Sequence, residues 1–201
     1  MRVRFALILS ALFVAFAASA ASAESAESAA VAAAVAADAP AAADALTPEC
    51  GTFAWDVSNE LAVLRSPSTA GVAGTGGDAG AVRIGLGTRY DTRLHPQSEV
   101  TLAARPVKPM LDDGAMAGLL AFTVPADGRY RVSITTGHWI DVVDAGEVVT
   151  SVDFQGRRGC PLVHKIVEFD LRAGRELVLQ FAGGSAGETG LVITPVSATA
   201  R

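Results

Sequence analysis

Three side chains of this sequence could hold a metal ion if the fold brought them together. His138, His164 and Glu168 supply two imidazoles and one carboxylate, the ligand types of a non-haem iron oxygenase. His164 and Glu168 are an even number of residues apart on a predicted strand, so both would lie on its outer face, which His138 could approach from a neighbouring strand. These residues form no tight motif, and His95 is distant in sequence. We therefore expect polar residues on a solvated face and no cofactor, with an iron site as the alternative.

A second pattern with chemical potential is Gly-Gly-Ser-Ala-Gly at 183–187, which matches the Gly-x-Ser-x-Gly turn of α/β hydrolases. That chemistry needs a strand, a sharp turn and a helix, with an acid and then a histidine later in the chain. Glu188 follows Ser185, but no histidine does. We interpret the pattern as a hairpin loop and expect no catalytic residue.

Aromatic side chains are the best candidates for binding. Trp55, Tyr90, Tyr130 and Trp139 could form a platform for a glycan or a peptide, because aromatic rings give a large contact area at low entropic cost. The competing interpretation is that Trp139 and Tyr130 fill or border the hydrophobic core. Both interpretations require a sheet to position these rings.

Two cysteines, Cys50 and Cys160, predict a structural disulfide. They are too far apart in sequence for a Cys-x-x-Cys redox site. Closing a loop of this length stabilises a fold by about 4 to 5 kcal/mol on a chain-entropy argument. The bond would tie the start of the domain to its second half.

The elements that must position these residues are mostly strands. Segments rich in Val, Ile, Leu and aromatic residues alternate with Gly, Asp and Pro turns, which favours antiparallel strands with one buried and one wet face. These segments are 119–124, 130–135, 139–143, 148–152, 163–171, 177–181 and 191–194.

The first part of the domain is less regular. Residues 53–57 suggest a strand and 60–64 a helical turn, although one amphipathic helix over 53–64 is also possible. A glycine-rich loop at 71–80 follows, and 82–86 and 100–103 add two strands. Eight or nine strands predict an all-β, two-sheet antiparallel β-sandwich, jelly-roll-like in topology.

The N-terminus reads as an export signal. Arg2 and Arg4 precede an apolar run of 14 residues, and Ala21-Ser22-Ala23 forms a cleavage signal. Since a bilayer span needs about 20 residues, we expect a signal peptide at 1–23 cleaved after Ala23, and no membrane span in the mature chain. An Ala-rich tether at 24–46 and a β-sandwich domain at 47–197 follow. The protein would be periplasmic or secreted.

Charge argues against a nucleic-acid partner. The chain has 16 basic and 21 acidic residues, and Arg2 and Arg4 lie in the leader, so the mature chain has a net charge near −7. Lys108 and Lys165 are the only lysines, and the arginines are scattered. No basic stripe exists that could release counterions from phosphates.

Two motifs resemble those of a known type of domain. They are Phe-Thr-Val-Pro-Ala-Asp-Gly-Arg-Tyr-Arg-Val at 122–132 and Val-Glu-Phe-Asp-Leu-Arg-Ala-Gly at 167–174. Together with 139–146 and 177–181, they are similar to bacterial pre-peptidase C-terminal domains, which implies a β-sandwich module without catalytic activity. The stretch 50–195 also resembles small exported proteobacterial proteins, some of which are named homogentisate dioxygenase. That name implies a non-haem iron oxidoreductase.

The sequence thus predicts an exported, non-enzymatic module that binds a protein or glycan of the cell envelope through its sheet face or its loops. The alternative is a metal-dependent oxidoreductase at His138, His164 and Glu168.

Overall fold

The computed structural model describes residues 50–77, 80–108 and 113–196. The predicted signal peptide and the Ala-rich tether lie outside these residues. One α-helix, one short 3-10 helix at Gln97–Glu99 and twelve strands make up the described elements. In chain order they are α1 (Ser58–Arg65), β1 (Thr69–Val72), β2 (Val82–Arg83), β3 (Tyr90–Arg93), β4 (His95–Pro96), β5 (Met116–Phe122), β6 (Gly128–Ile134), β7 (Trp139–Asp144), β8 (Glu147–Val149), β9 (Ser151–Gly156), β10 (Lys165–Leu171), β11 (Leu177–Gly184) and β12 (Glu188–Pro195).

The strands form two sheets, which confirms the predicted all-β sandwich. The first sheet has the order β1-β3-β12-β6-β10-β9, and the second has β2-β5-β11-β7-β8 with β4 paired to β5. Most pairs are antiparallel, whereas β1–β3 and β2–β5 are parallel. Consecutive strands often change sheet: β5 and β6, β8 and β9, and β11 and β12 each lie in different sheets. The loop 185–187 therefore connects the two sheets, where a hairpin within one sheet was expected.

The main core lies between the sheets. Alternate residues of β6, namely Tyr130, Val132 and Ile134, are at most 4 % exposed and face it. The other sheet contributes Phe122, Leu179 and Phe181, among others. This is the inner half of the alternation that the sequence predicts.

The outer face of the first sheet is covered, contrary to the expectation of a wet face. Arg131 and Ser133 alternate with the inner residues of β6, yet they are 2 % and 0 % exposed. The reason is helix α1, which packs on this face through Leu61 and Leu64 and forms a second hydrophobic cluster with Ile166, among others. The disulfide Cys50–Cys160 is present and belongs to the same cluster.

A buried ionic network attaches α1 to the sheet. Arg131 on β6 donates to Glu168 on β10 over 3.0 Å and to Glu60 of the helix over 3.2 Å. The other oxygen of Glu60 accepts from Thr194 on β12 over 2.6 Å. Each charge therefore has charged or hydrogen-bonding partners, which is the condition under which such groups are found in an interior.

Several expected elements differ from the structure. The helix spans Ser58–Arg65, and residues 53–57 before it are not a strand. No strand occurs at 100–103, and the single strand expected at 148–152 is divided by Thr150 into β8 and β9.

Candidate functional site

A cleft of about 370 Å³ opens at one side of the sandwich, where the edge strands β8 and β9 meet. Because β8 ends at Val149 in one sheet and β9 begins at Ser151 in the other, the chain crosses between the sheets within one residue. The sheets are not closed over each other at this point, and inner-face side chains therefore reach solvent. The walls are formed by Ile140, Val148, Val149, Phe154, Val167 and Phe169, together with the residues described below.

Phe154 shows how the cleft arises from strand register. It lies opposite Val167 in the β9–β10 pair, and directly opposed residues share one face of a sheet. Since Val167 belongs to the main core, Phe154 also points to the inner side, but on the edge strand it remains 67 % exposed. Val107, equally exposed at 67 %, lines the cleft from a loop. The two most exposed large hydrophobic residues of the described chain thus line the same cleft.

Trp139 stands at the polar part of this cleft with two lysines. The ammonium nitrogen of Lys108 lies 4.9 Å from the centre of the indole ring, and that of Lys165 lies 5.5 Å from it. Both distances are within cation–π range. Trp139 Nε1 donates to Asp141 Oδ1 over 2.8 Å, which fixes the orientation of the ring.

The loop that carries Lys108 is held against the second sheet by Gln180. The side-chain amide of Gln180 accepts from Ala104 N and donates to Ala104 O, both over 3.1 Å. It also donates to Asp141 Oδ2 over 3.1 Å. Asp141 is therefore occupied by Trp139 and Gln180 and is only 3 % exposed.

Lys165 is partly buried, and its surroundings disfavour its charge. Burial lowers the pKa of Lys165, and the nearby charge of Lys108 lowers it further, while Asp141 acts in the opposite direction. Its ammonium group donates to the carbonyl oxygen of His138 over 2.7 Å. Among the described residues, all seven ion pairs use arginine, so neither lysine is paired with a carboxylate there.

The four aromatic candidates occupy different environments. Trp139 lines the cleft, whereas Tyr130 is buried in the main core and donates to Ala126 O over 2.9 Å. Tyr90 packs against the same core, and its hydroxyl accepts from Gly85 N. Trp55 packs in the second cluster with the guanidinium of Arg131 4.9 Å from its ring. Only Trp139 of the four therefore contributes to the cleft.

The predicted metal ligands have other partners. Glu168 is ion-paired with Arg131 beneath α1, and His138 is fully buried beside Thr136, whose Oγ1 lies 2.8 Å from His138 Nδ1. His164 precedes β10 and is partly exposed. Within the ranges that the structure describes, no group of three or more His, Cys, Asp or Glu side chains could hold a metal ion. These residues therefore do not fit an iron centre.

The first glycine of the Gly-x-Ser-x-Gly pattern, Gly183, has a φ of 69°, a left-handed conformation that favours glycine. Gly184, at the variable position after it, lies against the ring of His138, and a Cβ on this residue would stand 2.5 Å from His138 Cδ2. Only glycine fits such a close approach. Strand β12 follows the loop, where a hydrolase would need a helix. Gly184 thus makes room for a buried histidine.

Of the cleft residues, only Trp139 was predicted from the sequence as a binding residue, whereas Phe154, Val107 and the two lysines were not. The rarity of lysine is the signal that could have drawn attention to these two residues. The 201-residue chain has only Lys108 and Lys165, and the structure places both ammonium groups at one tryptophan.

Comparison with known proteins shows no family. No family model and no curated protein matches the chain. Two solved structures of a β-glucosidase from Kluyveromyces marxianus are distantly similar. The complex with glucose has a TM-score of 0.29 and 14 % identity, and the match covers 41 % of this chain and 10 % of that one. The selenomethionine-labelled form has a TM-score of 0.30 and 11 % identity, over 52 % of this chain and 13 % of that one.

Proposed function

We propose that this chain is an exported, non-catalytic β-sandwich protein that binds a component of the cell envelope, a glycan or a protein, in the periplasm or outside the cell. The observation that carries the proposal is the cleft at Trp139. It has an apolar wall, a fixed aromatic ring and few polar groups, which is the usual composition of a ligand site.

Export is supported by two independent features. The leader pattern at 1–23 is typical of a signal peptide. The Cys50–Cys160 disulfide is of a kind that persists in oxidising compartments. No helix in the described part of the chain is long and apolar enough to cross a membrane. The resemblance to pre-peptidase C-terminal domains would agree with an accessory, binding role.

The test is recovery of the bound component from the native envelope. The mature chain is purified without denaturation from its own host and analysed by native mass spectrometry. We expect a non-covalent adduct on the wild-type protein. The adduct should be lost in Phe154→Ala, because this substitution removes a wall of the cleft from an exposed position and so costs little stability.

Val72→Ala is the matched control, since Val72 is also an exposed hydrophobic strand residue, 39 % exposed, but does not line the cleft. An adduct retained by all three proteins, or absent from all three, contradicts the proposal. Metal analysis of the same samples adds a second criterion. Stoichiometric iron on the wild-type protein would contradict a non-enzymatic role and favour the oxidoreductase.

A further inference from the structure

The two lysines of the chain form a cationic pair in a cleft whose wall is mainly apolar and also includes Asp141, Thr150 and Ser151. Each ammonium nitrogen lies within 5.5 Å of the centre of the Trp139 ring. The remaining wall is supplied mainly by aliphatic and aromatic side chains of β8, β9 and β10. The site therefore has two parts, an apolar interior and a positively charged rim.

The charge of this rim is only partly balanced by the described protein groups around it, because Asp141 lines the same cleft but no described carboxylate forms an ion pair with either lysine. Asp141 is the nearby acid, and both of its oxygens accept hydrogen bonds from Trp139 and Gln180. Lys165 donates to a neutral carbonyl, that of His138. Two like charges near one ring repel each other, so an anion bound between them lowers the electrostatic free energy of the pair.

We propose that the cleft binds an amphiphilic anion, whose apolar body lies between the sheets and whose carboxylate or phosphate group binds Lys108 and Lys165. This inference rests on the proposed binding role of the cleft and names, in place of a glycan or a protein, a small amphiphile as the envelope component. A cavity of about 370 Å³ is at the small end of the range for ligand sites, about 300 to 1,000 Å³, so it fits a small amphiphile better than a folded partner. A neutral glycan fits less well, because the wall offers few hydrogen-bonding side chains.

The apolar wall also argues for the direction in which the ligand enters. Val167 and Phe169 belong to the main core and form the inner end, while Phe154 and Val107 are exposed at the outer side. Burying an apolar body against this wall removes apolar surface from water, and the anionic group adds charge-assisted contacts with the lysines.

Four ten-carbon probes test the assignment on the mature protein: decanoate, decyl phosphate, decanol and decyltrimethylammonium. They are titrated by calorimetry below the concentrations at which they form micelles. We expect decanoate or decyl phosphate to bind, with decanol about tenfold weaker or more, and no binding of the cation. The stronger of the two anions identifies the head group. Equal affinity for decanol and the anions, or no binding of either anion, overturns the assignment.

Variants locate the anionic group. Lys108→Gln and Lys165→Gln should each weaken the anions by about 10- to 100-fold and leave the affinity for decanol unchanged. Arg105→Gln is the matched control, because Arg105 is an exposed cation on the loop of Lys108 that does not line the cleft. If the lysine variants bind the anions as the wild type does, the assignment is wrong.

The pH dependence of anion binding gives a readout that a purely structural role of Lys165 would not produce. Lys165 is faced by Lys108 and Asp141, and His138 and His164 adjoin it. Since the anion binds the protonated amine, its affinity should fall as the pH rises from about 7 to about 10. Lys165→Arg should retain the affinity and show a smaller fall, because guanidinium stays charged over this range. An unchanged fall in Lys165→Arg contradicts the role of Lys165.

Failure of this assignment is distinguishable from failure of the proposed function. If Phe154→Ala removes the native adduct but none of the probes binds, the cleft is still a binding site and only the ligand class is wrong. A peptide found as the native adduct would have the same meaning. If no native adduct exists and no probe binds, both proposals fail together.

Discussion

His138 is a buried histidine that the structure holds in its neutral form. Its Nδ1 lies 2.8 Å from Thr136 Oγ1, which donates in turn to Thr189 Oγ1 over 2.7 Å. The two bonds link His138, Thr136 and Thr189 in one buried hydrogen-bonded chain. Burial, and then the charge of Lys165, lower the pKa of His138 to about 4. The neutral ring therefore packs in the interior against Gly184 and Phe181.

This pKa predicts a loss of stability in mild acid. On acidification the unfolded chain takes up a proton near pH 6.5, whereas the folded protein does so only near pH 4. The contribution of His138 to the free energy of unfolding is therefore fully present above pH 6.5. It is lost as the pH falls below this value, by about 2 kcal/mol at about pH 5. Urea unfolding at several pH values measures the effect.

His138→Asn is the control for that measurement, because the Asn side chain offers both a donor and an acceptor to Thr136 and does not titrate. The variant should unfold with a free energy that changes little between about pH 7 and about pH 5. A loss in His138→Asn equal to that of the wild type would show that other groups cause the pH dependence.

Elements whose residues alternate between apolar and polar were predictable, and elements defined by their neighbours were not. Strand β6 has a clear alternation, and its inner residues Tyr130, Val132 and Ile134 were identified from it. Strand β3, Tyr90-Asp-Thr-Arg, has no apolar alternation and exists because it pairs with β1 and β12. The outer residue Arg131 was expected in water, since no local pattern shows that α1 covers this face.

The β7–β8 hairpin offers a prediction at the level of one turn. Asp144 pairs with Glu147, so Ala145 and Gly146 form a two-residue turn with φ of 50° and 85°. Such turns favour Asn-Gly, because alanine is strained at positive φ by roughly 1 kcal/mol. Ala145→Asn should stabilise the protein by about 0.5 to 1 kcal/mol in urea unfolding. The control Ala145→Val should destabilise it, and a stabilising valine would contradict the turn geometry.

The ionic network under α1 predicts that removing its arginine lowers the free energy of unfolding strongly, and that neutralising its acids restores part of it. Arg131→Met leaves Glu60 buried without a cation and leaves Glu168 only the longer ion pair with Arg129, at 3.5 Å, which costs about 3 to 5 kcal/mol of unfolding free energy. Neutralising both acids in the same protein, with Glu60→Gln and Glu168→Gln, should recover part of the loss. Denaturant titration of the single and triple variants measures both values. A triple variant no more stable than Arg131→Met would show that packing, and not charge, determines the loss.

At the scale of the whole molecule, the helix layer and the cleft lie on different parts of the sandwich. The layer comprises α1 and the disulfide on the outer face of the first sheet, and the cleft lies at the edge strands β8 and β9. The sequence indicated the sandwich and the disulfide, because alternation and cysteine number are local signals. It could not place the cleft, which arises where the chain crosses between sheets at Thr150 and brings distant residues such as Lys108 and Phe154 together.

Each part contains one of the two tryptophans, so the effect of removing the disulfide can be followed in both parts by fluorescence. Trp55 packs in the cluster that contains Cys50 and Cys160, and Trp139 lines the cleft. The disulfide closes a sequence separation of 110 residues, and its removal in Cys50→Ala/Cys160→Ala should cost about 2 to 4 kcal/mol. Because Cys50 fixes the segment before α1, we expect the helix layer to loosen first. In the Trp139→Phe background, Trp55 emission should then change at lower urea than Trp139 emission does in the Trp55→Phe background. Coincident transitions in both backgrounds would instead show that the disulfide stabilises the sandwich as one cooperative unit.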